Sequence, residues 1–236
     1  MPLKKIYVLL GNFGSGKTEL ALNFAFRAAK TGKTLLVDID MVNTYFRLSE
    51  RKDIIDSAGI KLISPNYVSK NIETLSLPGE VSSAFHTDWD TVIFDGGGDP
   101  AGARALGRFY EEFARLSPSQ LEVLNVVNLR RPLSGTPDKI IELMHSMSDS
   151  SRLPVTGLVN NTNLAHLTTP AELCEGCSAL SEVSRRTGIP VLYTSGKQDV
   201  LNAFLAGNPK AELIGTPFEL NIYMHRDWET FTKQGI

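Results

Sequence analysis

Eight consecutive residues constrain this chain more than any others: Gly11-Asn12-Phe13-Gly14-Ser15-Gly16-Lys17-Thr18. They fit the pattern G-x-x-x-x-G-K-[ST], which ordinary residue frequencies would place in a chain of this size on the order of one time in a hundred, so the flanking sequence has to support it. It does. Ile6–Leu10 is an unbroken apolar run, as a strand buried on both faces requires. Beyond the glycines, Leu20, Ala21, Phe24, Ala25 and Ala28 recur at helical spacing, and Gly32 stands where a C-terminal cap belongs. A strand, a glycine-rich turn and a helix in that order aim backbone N–H groups and the positive helix end at one point, which suits phosphate groups. Lys17 would place its charge on the β- and γ-phosphates of a nucleotide, and the Thr18 hydroxyl would ligate Mg²⁺. The nucleotide-binding candidates are therefore Gly11, Asn12, Phe13, Gly14, Ser15, Gly16, Lys17, Thr18 and Glu19. A dinucleotide-binding turn does not fit, because Glu19 occupies the place of its third glycine and a Lys-Thr pair is no part of that fingerprint.

The rest of the chain alternates strands and helices. Thr34–Ile39, Thr91–Phe94, Leu121–Val127, Val155–Val159 and Val191–Tyr193 read as further strands. Helices are expected from Asp99-Pro100 (with Ala103, Leu106, Tyr110, Phe113 and Leu116 on one stripe), over Pro137–Met147 and over Pro170–Thr187. Such alternation implies right-handed crossovers, hence an α/β fold of three layers with a mostly parallel central sheet. Residues 1–236 are expected to form one domain, with the tail from 207 docked on it by Phe218, Tyr223, Trp228 and Phe231. Ser64-Pro65-Asn66 and Leu77-Pro78-Gly79 break up the less regular stretch 41–90. Ligands of such sheets sit outside the carboxyl ends of the strands, so the residues just after each strand carry the interest.

Charge and hydropathy narrow the partners. With 24 Lys+Arg against 26 Asp+Glu, the net charge of −2 gives no basic excess for nucleic acid. No apolar run approaches the roughly 18 residues of a membrane helix. Lys4-Lys5 before Ile6–Leu10 faintly imitates a signal peptide, but the apolar stretch is short and no small-residue cleavage pattern follows. Two cysteines in 236 residues fit a reducing compartment, and a cytoplasmic location is expected.

Two acidic strand ends extend the phosphate site. Val37-Asp38-Ile39-Asp40 closes one strand, and Phe94-Asp95-Gly96-Gly97-Gly98 closes another. Asp95 fits an outer-shell Mg²⁺ holder that works through metal-bound water, and Gly98 ends a D-x-x-G turn whose backbone N–H can approach a γ-phosphate. On Gly11–Thr18, Asp38-x-Asp40 and Asp95–Gly98, most of residues 4–200 resemble the MinD/ParA group of P-loop ATPases, the branch that includes the nitrogenase iron protein, dethiobiotin synthetase and metal-insertion ATPases. The resemblance implies a P-loop NTPase fold, with ATP and Mg²⁺ as ligands and a homodimer or another protein as partner. It implies a water-activating role for Asp38, with Asp40 beside it, and a switch role for Asp95–Gly98. Lys17, Asp38 and Asp40 are thus the catalytic candidates. One departure stands out: most members carry a signature lysine directly after the first loop glycine, and here that residue is Asn12. Slow hydrolysis or a different activating group follows, with Arg47, Arg130 and Arg131 as substitutes.

Gly157-Leu158-Val159-Asn160-Asn161-Thr162-Asn163 follows a strand where this family places its base-binding asparagine. GTPases use N-K-x-D there, because a carboxylate accepts two hydrogen bonds from guanine. Counting from Asn160, the fourth residue is Asn163, with a single acceptor oxygen, and an asparagine amide suits adenine. Asn161 aligns best with the base contact and Asn160 next; Thr194-Ser195-Gly196-Lys197 faintly resembles the last base loop of GTPases. Cys174-Glu175-Gly176-Cys177 has metal or redox spacing, although Leu173, Cys177, Leu180 and Ser184 also share one helical stripe. The expected function is a Mg²⁺-dependent ATPase switch, with the loops 40–50 and 95–100 rearranging. One alternative is a dethiobiotin-synthetase-like kinase or ligase whose acceptor would lie among Tyr45, Arg47, Asn128 and Arg130. The other is a metal-insertion ATPase built on Cys174 and Cys177.

Overall fold

The computed structural model describes residues 5–40, 47–67, 75–76 and 79–224, with backbone only at 66–67 and 75–76. Its sheet contains β1 (Lys5–Leu10), β2 (Thr34–Asp38), β3 (Lys61–Ile63), β4 (Thr91–Asp95), β5 (Leu121–Val127), β6 (Gly157–Asn160), β7 (Val191–Gly196) and β8 (Thr216–Glu219). They lie in the order β8-β7-β6-β5-β1-β4-β2-β3, and every neighbouring pair is parallel. The longer helices are α1 (Lys17–Ala29), α2 (Pro137–Ser151), α3 (Pro170–Thr187) and α4 (Gln198–Ala206). This is the expected three-layer α/β architecture.

Side-chain parity along the strands builds the two outer layers. In β1, Ile6, Val8 and Leu10 join one core with Val37, Phe94, Met144 of α2 and Leu180 of α3. Leu9 faces the opposite core, with Leu20 and Phe24 of α1 and Ile55 of the short helix Lys52–Ser57. Both faces are covered, so the strands read as continuous apolar runs.

The sheet turns around β1. β1 lies between β5 and β4, and the chain runs outward from it in both directions, so a crevice opens at the carboxyl ends of these central strands. The turns after β1, β2, β4, β5, β6 and β7 carry the residues singled out by the sequence.

The structure departs from the expected elements in two places. The stripe from Asp99 is one helical turn (Pro100–Ala103), a 3₁₀ turn (Leu106–Phe109) and a short α-helix (Tyr110–Ala114) rather than one helix. A Cβ on Gly102 would sit 2.7 Å from Gly97 Cα, and one on Gly107 would sit 3.3 Å from the Ser150 and Ser151 carbonyl oxygens. The contact at 102 requires glycine and the one at 107 crowds any larger residue, and two glycines weaken a continuous helix there. The second is β8, an edge strand within what reads as tail. Within α3, Cys174-Glu175-Gly176-Cys177 is uninterrupted helix, as the expected span requires. α3 begins at Pro170, with Thr169 and Glu172 in a reciprocal capping box, and ends at Gly188 in the left-handed region.

Candidate nucleotide site

The turn after β1 is shaped by its glycines. Gly16, with φ 89°, is the N-cap of α1, and a Cβ there would strike the Asn161 amide. Ser15 N–H donates to the Asn12 carbonyl at 3.1 Å, and Lys17 Nζ reaches back to the same carbonyl at 3.1 Å. Lys17 is the first residue of α1, so its ammonium spans the loop from within. Burial lowers its pKa, against the pull of Asp95, Asp40 and Asp99, which favours the charged form.

Asp95 and Asp38 close β4 and β2 side by side, as register partners in the parallel ladder. Both are buried. Burial pushes the Asp95 carboxyl up to about 6, opposed by Lys17 and by the Thr18 hydroxyl bonded to it. Asp38 lies well above the ordinary carboxylate range, raised by burial and by Asp95; the Asp40 N–H donated to its Oδ1 at 3.1 Å and the charge of Arg47 work the other way. Two buried side-chain oxygens here, Ser15 Oγ and Asp95 Oδ1, have no hydrogen-bond partner among the described residues. A buried oxygen without a partner is a costly arrangement unless something arrives to satisfy it. Mg²⁺ takes oxygen ligands and retains several waters, so the Thr18 hydroxyl with the Asp95 carboxylate fits it. Gly98 lies against the Phe13 ring, where a Cβ would collide, and Phe13 itself is 40% exposed at the rim.

On the far side, Asn161 joins two loops. Its Nδ2 donates to the Ser15 carbonyl at 2.7 Å, and its Oδ1 accepts from Ser195 Oγ at 2.9 Å. The amide is itself buried, and one N–H and one lone pair make no hydrogen bond among the described residues. The faint signal at Ser195 therefore marks a real neighbour of the loop. Counting from Asn161, the fourth position is Leu164, which is exposed and carries no acceptor. Asn163 holds its own turn, donating to the Asn161 carbonyl at 2.7 Å and accepting from Ala165 N–H at 3.2 Å.

Several expected site residues sit elsewhere. Asn160 is fully buried under α3, donating to the Leu173 carbonyl at 2.9 Å and to Cys177 Sγ at 3.3 Å, so it cannot touch a base. The Glu19 carboxylate does not face the loop; it accepts from the Tyr223 and Met224 N–H groups at 2.6 and 3.0 Å. Cys177 is buried and Cys174 exposed on α3. Among the described residues no three His, Cys, Asp or Glu gather as a metal group. The acceptor pocket loses two members: Asn128 is fully buried in its own turn, and Arg130 Nη2 is paired with Glu172 and Glu175 at 3.2 and 2.8 Å. Tyr45 and most of the loop 40–50 lie outside the described residues. Arg131, by contrast, reaches the phosphate loop, with Nε donating to the Gly14 carbonyl at 2.8 Å.

No protein-family model matches the sequence, and no curated protein matches it. Solved structures do. The chain is similar to FtsY from Thermotoga maritima (18% identity, TM-score 0.55, covering 81% of this chain and 61% of that one). It is similar to FtsY from Mycoplasma mycoides (17%, 0.52, 82% and 60%) and to chloroplast FtsY from Physcomitrella patens (18%, 0.55, 81% and 58%). This chain spans about three fifths of the length of each. The likeness shows a P-loop NTPase fold. Among the described residues no helix is long and apolar enough to cross a membrane.

Proposed function

We propose that this chain binds ATP with Mg²⁺ and hydrolyses it slowly, as a cytoplasmic switch of the MinD/ParA kind acting on a protein partner or on a second copy of itself. The observation that carries the reading is the meeting of Lys17, Thr18, Asp95 and Asp38 at the carboxyl ends of adjacent strands, with Asp95 Oδ1 and Ser15 Oγ buried and unpartnered. Thr18 and Asp95 would hold Mg²⁺, which when bound neutralises phosphate charge. Lys17 and the loop N–H groups would hold the polyphosphate. Asp38 is the residue to accept a proton from the attacking water, since a raised pKa brings a carboxyl toward working pH, and Asp40 N–H orients it. Adenine is favoured over guanine because Leu164 and Asn163 offer no free carboxylate at the base-reading turn. One neighbour, FtsY from Elizabethkingia anophelis, is described in complex with GDP, at 15% identity and a TM-score of 0.50. The test therefore compares both nucleotides.

Phosphate release from ATP and from GTP by the purified chain with Mg²⁺ is the direct assay. ATP turnover should vanish in Lys17→Ala and fall about a hundredfold in Asp38→Asn. Turnover that appears only with an added small-molecule acceptor would instead make the chain a kinase or ligase. Turnover unaffected by Lys17→Ala would sink the site.

A further inference from the structure

The turn after β5 is built to hold one side chain over the phosphate loop. Asn128, fully buried, accepts from Arg130 N–H at 3.0 Å and Asn163 N–H at 3.2 Å, and its Nδ2 donates to the Asn163 carbonyl at 3.2 Å. Its carbonyl takes Ser134 Oγ at 2.7 Å and Arg131 N–H at 3.1 Å. Arg131 therefore leaves a turn braced on both sides. Its guanidinium lies on Gly14: Nε donates to the Gly14 carbonyl at 2.8 Å, and a Cβ on Gly14 would come within 2.9 Å of Nε and 3.5 Å of Cζ. The two terminal nitrogens make no hydrogen bond to any described residue, although the side chain is already positioned by Nε. The adjacent Arg130 is turned elsewhere, one terminal nitrogen, Nη2, paired with both Glu172 and Glu175.

Charge gives this arrangement a use. Lys17, the buried cation of the loop, already faces Asp95, Asp40 and Asp99. A nucleoside triphosphate adds several negative charges to a site where the lysine is largely offset by carboxylates. Positive charge from outside the loop is needed, and a guanidinium with free, planar donors matches phosphate oxygens better than an ammonium does.

We propose that Arg131 is a phosphate-contacting residue supplied in cis, its terminal N–H groups donating to the polyphosphate of the bound nucleotide. The proposal rests on the nucleotide reading above and adds to it a residue outside the motif. Because the contact is made from the same chain, polyphosphate binding does not require a second copy to deliver this charge.

The test is equilibrium binding of ATP and AMP with Mg²⁺ to the full chain and to Arg131→Ala, Arg131→Lys, Leu133→Ala and Lys17→Ala, at two salt concentrations. Arg131→Ala should weaken ATP binding about tenfold, leave AMP binding within about twofold, and flatten the salt dependence for ATP. Arg131→Lys should recover part of the ATP affinity, and Leu133→Ala, an exposed neighbour on the same turn, should match the parent. ATP binding unchanged in Arg131→Ala but lost in Lys17→Ala would overturn this proposal and leave the nucleotide site standing. Equal losses for ATP and AMP, with no recovery in the lysine variant, would reduce Arg131 to a brace of the loop and overturn it too. Binding that ignores Lys17→Ala would remove the nucleotide reading and this proposal together.

Discussion

Asp95 shows how much of the site turns on single atoms. Its carboxyl ends a buried strand, one oxygen without a partner, and burial holds it at about 6 against an ordinary 3.8. Between those pH values the folded chain keeps a proton that the unfolded chain has released. The stability of the nucleotide-free protein should therefore fall as pH rises from about 4 to about 6. Above that range an unsatisfied carboxylate remains buried, so Asp95→Asn should stabilise the nucleotide-free protein at pH 7.5 by roughly 1–3 kcal/mol while abolishing Mg²⁺-dependent ATP binding. Urea denaturation across pH checks the first part, and a variant less stable than its parent would mean the carboxylate is an anchor instead. These residues were legible because the loop and the acids at strand ends are local patterns with one chemical use. Asn160 and Asn161 were not separable in that way: adjacent residues at a strand end point to opposite sides, and parity there depends on where the four-residue β6 begins. The cysteine pair is ambiguous for a similar reason, since two residues three apart fit a metal turn and a helix equally well.

At the scale of elements, strong punctuation made for accurate reading. Pro170–Thr187 is found with the boundaries expected of it, because proline opens it, a capping box holds its first turn and Gly188 stops it. β8 escaped notice because Thr216-Pro217-Phe218-Glu219 buries Phe218 alone, and an edge strand tolerates proline. Inside α3, Gly176 looks like a poor choice, yet a Cβ there would strike Asn160 Oδ1 and Thr162 Oγ1. These atoms are buried and fixed by their own hydrogen bonds, so overpacking of about 1–3 kcal/mol should exceed the roughly 1 kcal/mol that alanine gains in helix propensity. Gly176→Ala should lower the melting temperature and, by displacing the Asn160–Thr162 turn, weaken ATP binding. A more stable variant would contradict the packing described for this turn.

Across the whole molecule, residues 218–224 pack back on the helix that follows the phosphate loop. Asn23 donates to the Asn221 carbonyl at 2.9 Å and accepts its N–H at 2.8 Å, Glu19 receives two further N–H groups, and the Phe26 and Tyr223 rings lie 4.6 Å apart. Phe218 stacks on Phe24 at 4.6 Å. The aromatic tail thus docks through Phe218 and Tyr223, while Trp228 and Phe231 lie outside the described residues. That Glu19 belongs to this strap could not be read from sequence, because its partners lie about 200 positions away and no local pattern marks them. Asn23→Ala leaves the Asn221 N–H and carbonyl unpaired and should cost about 1–3 kcal/mol, read by urea denaturation. An unchanged midpoint would mean the strap contributes little to holding the molecule together. The arrangement as a whole, a loop, two acids and a bridging asparagine at the carboxyl ends of the strands, has its most direct test in titrating the purified full chain with ATP and GTP in the presence of Mg²⁺, beside Lys17→Ala. Saturable ATP binding, tighter than GTP and lost in the variant, is the expected result. Binding of neither nucleotide, or binding indifferent to Lys17, would contradict it.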